Sequence, residues 1–394
     1  GPGPAPVTLL VVAGEASGDR AAAGVVRRLA GVSTFGIGGP ALAATGAHLV
    51  ADLRDLSALG VMPAAARSVA HGRALFRLAR EVHRQRPAAA LLVNYTEMNA
   101  RLAARLRQRG VRVLWYVAPQ VWAWRAARVV TLRRVMDRLA VVLPFEEPLW
   151  RAAGVDAHYV GHPAFETTPL SREVARRALD LTPFAQAVAI LPGSRPQEVR
   201  RHLAVMLDGY EKLRDDRASL DARVLLAASL PQSVKSWARE LCRERSVPAF
   251  DVDGALGASS VLPAFDVVLC ASGTASLEAA LAGIPPVVIY RVDALTHAVA
   301  RFALRTPHVA LPHVILGRRA FPELLQREAT PGRIADELLR VLRARPRLVA
   351  ECELVRDAMG PARTPSRAVA AMLLPWLGPG AHLGEPSLWP RSAS

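Results

Sequence analysis

The chain is expected to fold as an α/β protein of two doubly wound, Rossmann-like halves facing a ligand cleft, with helices at its C-terminal end. Three observations predict this. Short, nearly all-apolar runs of strand length alternate with segments of helical period along the chain, as parallel βα units require. The alternation pauses at Thr167-Thr168-Pro169, a turn-rich stretch without periodicity, and then begins again. Turns rich in Gly and hydroxyl residues recur where a strand should hand over to a helix, which is where open α/β sheets bind ligands.

The first series of apolar runs is Val7–Val12, Phe35–Ile37, Ala88–Val93, Val113–Val117, Leu139–Leu143 and His158–Val160. Strands buried on both faces read this way. Between them, Ala64–Arg84 places Ala65, Val69, Leu75, Leu78 and Val82 at helical spacings, with Arg67, Arg73 and Arg77 elsewhere. The second series is Val188–Leu191, Arg223–Ala227, Val267–Leu269 and Pro286–Ile289, with helices Glu198–Arg214 and Ala275–Ala282 among them. From Pro331 only helical periodicity remains. The expected domains are residues 1–165 and 166–345, then terminal helices over 346–376 that pack back on the first domain, and a flexible tail over 377–394.

A length of 394 residues suits two or three compact units, and 51% hydrophobic content excludes a disordered or fibrous chain. The formal charge is +16, almost all of it arginine, since lysine occurs only at Lys212 and Lys235. Such a balance attracts polyanions, but an arginine-rich codon bias would produce it too, so charge alone selects no partner. Without a basic helix carrying base-reading residues, nucleic acid is not the expected one. Cys242, Cys270 and Cys352 lie far apart, which fits neither a disulfide framework nor a structural zinc site and suits a reducing cytoplasm. The apolar stretch from Val267 to Tyr290 is interrupted by Gly273, Glu278 and Pro285-Pro286, so it reads as strand, turn, helix and strand rather than a membrane span. The opening Gly-Pro-Gly-Pro lacks a basic region and a long apolar run, so no secretory signal is expected there.

Several strand-end turns could carry chemistry. After the first strand, Gly14 and Gly18 let the backbone turn and approach a ligand, Ser17 or Asp19 can cap the next helix, and Glu15 adds a carboxylate. An ordinary capped turn would look the same. In Leu191-Pro192-Gly193-Ser194-Arg195, free N–H groups at a helix start, the Ser194 hydroxyl and the Arg195 guanidinium could hold a diphosphate without a metal, with Glu198 one turn further on. Ser272, Gly273 and Thr274 form a second phosphate-competent helix start, and Glu278 could accept two ribose hydroxyls. Neither turn is a P-loop or a dinucleotide fingerprint. The only two asparagines of the chain, Asn94 and Asn99, flank Glu97 directly after an apolar strand. Glu97 could serve there as a general base, while Asn94 and Thr96 could simply turn and cap the chain. Trp122, Trp124 and Arg125 follow another strand and could wall an acceptor site or touch lipid, though a core position suits a Trp equally. His162, in Gly161-His162-Pro163, reads as structural or sugar-contacting. Ala294–Arg305 has the pattern of an amphipathic helix, for a core edge or an anionic bilayer.

Taken in order, GEASGD, GxGGP, YVxPxVWAWR, LPFE, GHP, LPGSRxxE and ASGTAxLE resemble the lipid-A-disaccharide synthase family over about Val7 to Gln326. That family comprises inverting glycosyltransferases of the GT-B fold. The resemblance implies a UDP-2,3-diacylglucosamine donor, a 2,3-diacylglucosamine 1-phosphate acceptor, a β(1→6) linkage and release of UDP, without metal or other cofactor. It also implies work at the inner face of the inner membrane in lipid A, and hence lipopolysaccharide, biosynthesis, and it allows a homodimer. The first half would then supply the acceptor site and the second would hold the UDP-sugar. The expected catalytic set is Glu97, Asn99 and Glu15.

Two departures fall in that expected site. Asn94, Thr96, Glu97 and Met98 stand where the family has D-x-P-D-F before the unchanged Asn99, so the base becomes a Glu, one methylene longer. Leu311-Pro312-His313 replaces an L-P-N, putting an imidazole where an amide is expected near the nucleotide. The pattern fits an ordinary enzyme with a shifted base, a paralogue with a different lipid or sugar acceptor, or a nucleotide-sugar-binding protein without catalysis.

Overall fold

The computed structural model describes residues 7–14, 16–52, 64–94, 97–118, 127–215, 217, 219–252, 258–271, 273–291, 308 and 310–384, and the chain divides into two units. Unit 1 runs to Glu166 and takes up the chain again from Ala362, while unit 2 covers Thr167–Pro361.

Unit 1 contains β1 (Val7–Ala13), β2 (Leu29–Ala30), β3 (Val32–Gly38), β4 (His48–Asp52), β5 (Ala89–Val93), β6 (Arg112–Tyr116), β7 (Arg138–Val141) and β8 (Ala157–Tyr159). Seven of these form one sheet in the order β4-β3-β1-β5-β6-β7-β8. Every pairing in it is parallel, with Val12 beside Ile37 on one side and Leu92 on the other. On one face, Leu78 and Val82 of helix Ala64–Gln85 and Leu102, Ala103 and Leu106 of helix Glu97–Gln108 close over Leu10, Val12, Leu92 and Trp115. Helices Ala16–Arg27 and Pro365–Leu377 pack together on β1 and β5.

Unit 2 contains β9 (Gln186–Leu191), β10 (Leu220–Ala227), β11 (Ala249–Val252), β12 (Val267–Cys270), β13 (Pro286–Tyr290) and β14 (Glu323–Leu325). Their order is β11-β10-β9-β12-β13-β14, again all parallel. Numbered within the unit this is 3-2-1-4-5-6, the Rossmann order. The predicted doubly wound α/β class is therefore what both units show.

The structure differs from the sequence expectations at the sheet edges. β4 and β11 have no apolar run to announce them, because an edge strand is covered less and keeps polar residues such as Asp52 and Asp251, while β14 is three residues long and begins with the buried Glu323. Helix Arg345–Ala358, expected to return to the first domain, instead packs within unit 2 on helices Gly273–Leu281 and Leu311–Leu316, burying Leu348, Cys352 and Val355. Nor is the stretch after Leu377 all tail: β15 (His382–Leu383) pairs antiparallel with β2. Residues 385–394, and Ala294–Arg305, lie outside the described residues.

One long-range hydrogen bond pair holds the returning helix. Glu166 accepts from the backbone N–H of Ser366 at 3.0 Å and from its hydroxyl, so a residue 200 positions earlier caps helix Pro365–Leu377. Glu166→Ala should therefore cost about 1–3 kcal/mol in urea denaturation. Glu173→Ala, which removes only an exposed pair with Arg177 at 2.7 Å, should stay within about 0.5 kcal/mol of the parent.

Candidate active site

In unit 1 the strand order reverses between β1 and β5, so the two turns that follow them share one end of the sheet. Gly18, in the first turn of helix Ala16–Arg27, lies against the side chain of Asn94: a Cβ there would sit 2.8 Å from Asn94 Nδ2. Asn94 itself has φ +62°, a left-handed conformation that asparagine tolerates. Its N–H donates to the carbonyl of Tyr116 at 2.9 Å, while its own carbonyl accepts from Asn99 Nδ2 at 3.0 Å and Trp115 Nε1 at 3.1 Å. Glu97 is the first residue of helix Glu97–Gln108, which starts at this end of the sheet.

Two of the candidate site residues bond the backbone. Asn99 is fully buried and braces the turn, donating to the carbonyls of Val93 and Asn94. Asp19, also buried, accepts from the N–H groups of Gly39, Ala41 and Leu42 at 2.8–3.0 Å, and so caps the short helix Pro40–Ala43. Gly14 is half-buried and Ser17 exposed at the end of β1. Glu15, Thr96, Trp122, Trp124 and Arg125 lie outside the described residues.

Two further features shape this end of unit 1. Val117, just beyond β6, has φ +71°, a strained conformation for a β-branched residue, held as its N–H donates to the carbonyl of Ala140 at 3.0 Å. His162 is buried, and its Nδ1 accepts from the N–H of Ala164 at 3.1 Å, so Nε2 carries the ring proton. Burial pushes its pKa down to about 4.

In unit 2 the order reverses between β9 and β12. Leu191 and Ala271 are joined there, the carbonyl of one accepting from the N–H of the other at 3.1 Å. Beyond β9, Gly193 has φ +125°, and a Cβ on it would meet Glu198 at 2.6 Å. That close approach lets Glu198 reach back and accept from the N–H groups of Ser194 at 3.1 Å and Arg195 at 3.2 Å. The N–H groups expected to be free for a phosphate are thus filled by a carboxylate, and Pro196 at the helix start offers none. An incoming anion has to replace Glu198 at those two amides. The Ser194 and Arg195 side chains are exposed, with Arg195 Nη1 3.7 Å from Glu198 Oε1.

Beyond β12, Gly273 opens helix Gly273–Leu281, Thr274 is exposed, and Glu278 accepts from Ser259 Oγ at 3.3 Å. Ser272 lies outside the described residues. His313, expected near a nucleotide, is instead fully buried with both nitrogens engaged. Nε2 accepts from the N–H of Phe321 at 3.0 Å, so Nδ1–H donates to Glu323 at 2.8 Å. His308, His313 and Glu323 bring ligand atoms within 4.8 Å of one another. However, the Phe321 hydrogen bond leaves His313 Nδ1 protonated and turned to Glu323, so these two form a hydrogen-bonded brace, with the His308 ring edge-on to His313.

Sequence reasoning missed a cluster at the end of β13. Arg201 Nη1 donates to the Arg291 carbonyl at 3.3 Å, and His202 Nε2 accepts from the Arg291 N–H at 3.0 Å. The available signal was helical spacing, since Arg201 and His202 follow Glu198 by three and four positions on helix Pro196–Arg214.

Two doubly wound parallel sheets in one chain, the second with a Gly-Ser-Arg turn at its switch point, are the two sheets of a GT-B fold. Solved structures share that fold. A UDP-GlcNAc 2-epimerase from Neisseria meningitidis aligns over 94% of this chain and 100% of its own, with TM-score 0.66 and 11% identity. A spinosyn rhamnosyltransferase aligns over 93% and 99%, with TM-score 0.54 and 14% identity. The sequence itself goes further: the profile of the lipid-A-disaccharide synthetase family matches residues 9–371. The lipid-A-disaccharide synthase of Anaeromyxobacter dehalogenans strain 2CP-C is 39% identical, over 93% of this chain and 96% of that protein. That of Myxococcus xanthus is 41% identical, over 85% and 88%. The chain belongs to the lipid-A-disaccharide synthetase family.

The His162 ring gives a pH prediction. Its folded pKa of about 4 lies below the ordinary histidine value of 6.5, so its contribution to stability is complete above pH 6.5 and is lost as pH falls towards 4. The loss should be about 3 kcal/mol. His162→Asn, whose amide oxygen can replace Nδ1 as acceptor, should flatten that part of the profile in denaturant melts at successive pH values.

Proposed function

We propose that this protein transfers 2,3-diacylglucosamine from its UDP donor to the 6-hydroxyl of 2,3-diacylglucosamine 1-phosphate, with inversion to a β(1→6) linkage and release of UDP. The observation that carries the reading is the Gly193-Ser194-Arg195 turn at the switch point of a 3-2-1-4-5-6 sheet, in a chain of this family. Unit 2 is the donor-binding unit. Arg195, Ser194 and the helix start receive the diphosphate, and Glu278 and Thr274 lie on the neighbouring helix start for the nucleoside. Unit 1 supplies the acceptor side, from the turns after β1 and β5.

The chemistry is one displacement. The Glu97 carboxylate takes the proton of the acceptor hydroxyl as its oxygen bonds to the anomeric carbon. The bond from that carbon to the diphosphate breaks, and its electron pair leaves on UDP, where Arg195 meets the added charge. No step calls for a metal. An acylated acceptor places the work at a membrane, at the cytoplasmic face of the inner membrane. None of the helices among the described residues is long and apolar enough to cross one. In support of a peripheral contact, Arg73, Arg77, Arg80 and Arg84 are exposed on helix Ala64–Gln85 together with Phe76, 70% exposed, and Arg101 and Arg105 are exposed on helix Glu97–Gln108. A homodimer is compatible with this arrangement.

Incubation of the purified protein with both substrates tests the reading. UDP release is expected, and Glu97→Gln should lower kcat by about 10²-fold or more while leaving UDP affinity unchanged. Arg195→Ala should lower kcat about 10²-fold and weaken UDP binding. UDP binding without turnover would instead identify a nucleotide-sugar-binding protein, and turnover only with another acceptor would identify a paralogue.

A further inference from the structure

His202 is a buried histidine on helix Pro196–Arg214, at a position where an aliphatic side chain would bury without penalty. Both its nitrogens are used, and their partners settle its tautomer. Nδ1 lies 2.8 Å from the carbonyl of Glu198, which can only accept, so Nδ1 carries the proton. Nε2 lies 3.0 Å from the N–H of Arg291, which can only donate, so Nε2 is the acceptor. Burial holds the ring's pKa below the usual histidine value, and the neighbouring Arg201 and Arg291 charges push the same way, which keeps it neutral as this geometry requires.

The two partners belong to different parts of the donor site. Glu198 is the residue whose carboxylate holds the Ser194 and Arg195 amides. Arg291 is the first residue beyond β13, where pairing with β14 has ended at Tyr290. Its N–H therefore has no strand to pair with, and His202 takes that role. The preceding residue on the helix, Arg201, bonds the Arg291 carbonyl, and the Arg291 guanidinium bonds the carbonyl of Ala329 beyond β14. The His202 ring also stacks on Tyr290, with centroids 6.4 Å apart. A continuous set of hydrogen bonds thus runs from the phosphate turn through Glu198 and one rigid imidazole to the end of β13.

We infer that His202 is a positioning residue for donor binding, fixing the phosphate-turn helix against the carboxyl end of β13 so that Ser194 and Arg195 are held where the diphosphate is received. This rests on the reading of unit 2 as the donor-binding unit. A shift of about 1 Å in such a turn is enough to lose about 10²-fold in a productive geometry, and one lost hydrogen bond in the second turn of the helix gives part of that.

Three substitutions test it: His202→Gln, His202→Asn and His202→Leu. The glutamine oxygen reaches the Nε2 position and can accept from Arg291. Asparagine reaches only the Nδ1 position, and leucine fills the space without polar atoms. UDP affinity by calorimetry, donor and acceptor KM, and thermal unfolding are measured on each. The Asn and Leu variants are expected to raise the UDP Kd and the donor KM about tenfold with the acceptor KM unchanged, while Gln stays within about threefold of the parent. Should a His202 variant fail to fold, Arg201→Met cuts the same helix from Arg291 at a less buried position and should weaken UDP binding about threefold. Parent-like UDP binding in the Leu variant, or in Arg201→Met when that stands in, overturns the inference. So does equal weakening in Gln and Leu, which would mean that packing alone is at work. Failure of the parent protein to bind UDP removes the donor-site reading itself.

Discussion

A parallel sheet buried on both faces constrains everything else in this molecule. Each strand must be followed by a crossover before the next can pair beside it, so every strand delivers its carboxyl end to the same edge of the sheet. The chain applies this twice, and in each unit the order reverses at one place, beside β1 and β5 in the first and β9 and β12 in the second. Only there do two successive turns diverge and leave room for a ligand. The turns with glycine, hydroxyl and carboxylate residues fall at these places because no other part of the scaffold offers them space.

Those turns need holding, and buried polar groups do most of it. Asp19 saturates three backbone donors, Asn99 two backbone acceptors, and His313 joins Phe321 to Glu323. Asp19 and Asn99 are tied in this way to backbone groups, and His313 to one backbone N–H and one carboxylate. A buried polar side chain left without a partner would destabilise the fold, so a fixed partner set is the condition for keeping it inside. The exposed groups that remain, Ser194, Arg195 and Thr274 among them, are those able to change partner when a ligand arrives.

The central strands were legible in the sequence, because β1, β5, β9 and β12 are covered on both faces and read as continuous apolar runs. Three edge strands were not: β4 and β11 are half-covered and mix polar with apolar residues, and β14 is buried but only three residues long, with Glu323 at its start. The turns that carry the site were legible in position but less so in role. Scarcity marked Asn94 and Asn99 correctly as a pair, yet no local pattern distinguishes an amide that faces a ligand from one that faces its own backbone. His202 left no mark because its partner, Arg291, is 89 residues away and bonds through its backbone N–H, which every residue but proline has. Likewise, the helix Arg345–Ala358 has the same periodicity whichever unit it covers.

The discontinuity of unit 1 has a bearing on how the molecule is made. Among the described residues unit 2 is the stretch Thr167–Pro361, whereas unit 1 lacks helix Pro365–Leu377 and the β15 partner of β2 until translation has passed residue 383. The half that begins the nascent chain is therefore the half completed last. During synthesis β1 and β5 wait with that flank covered by helix Ala16–Arg27 alone, a state in which a ribosome-associated chaperone would find apolar sheet to hold.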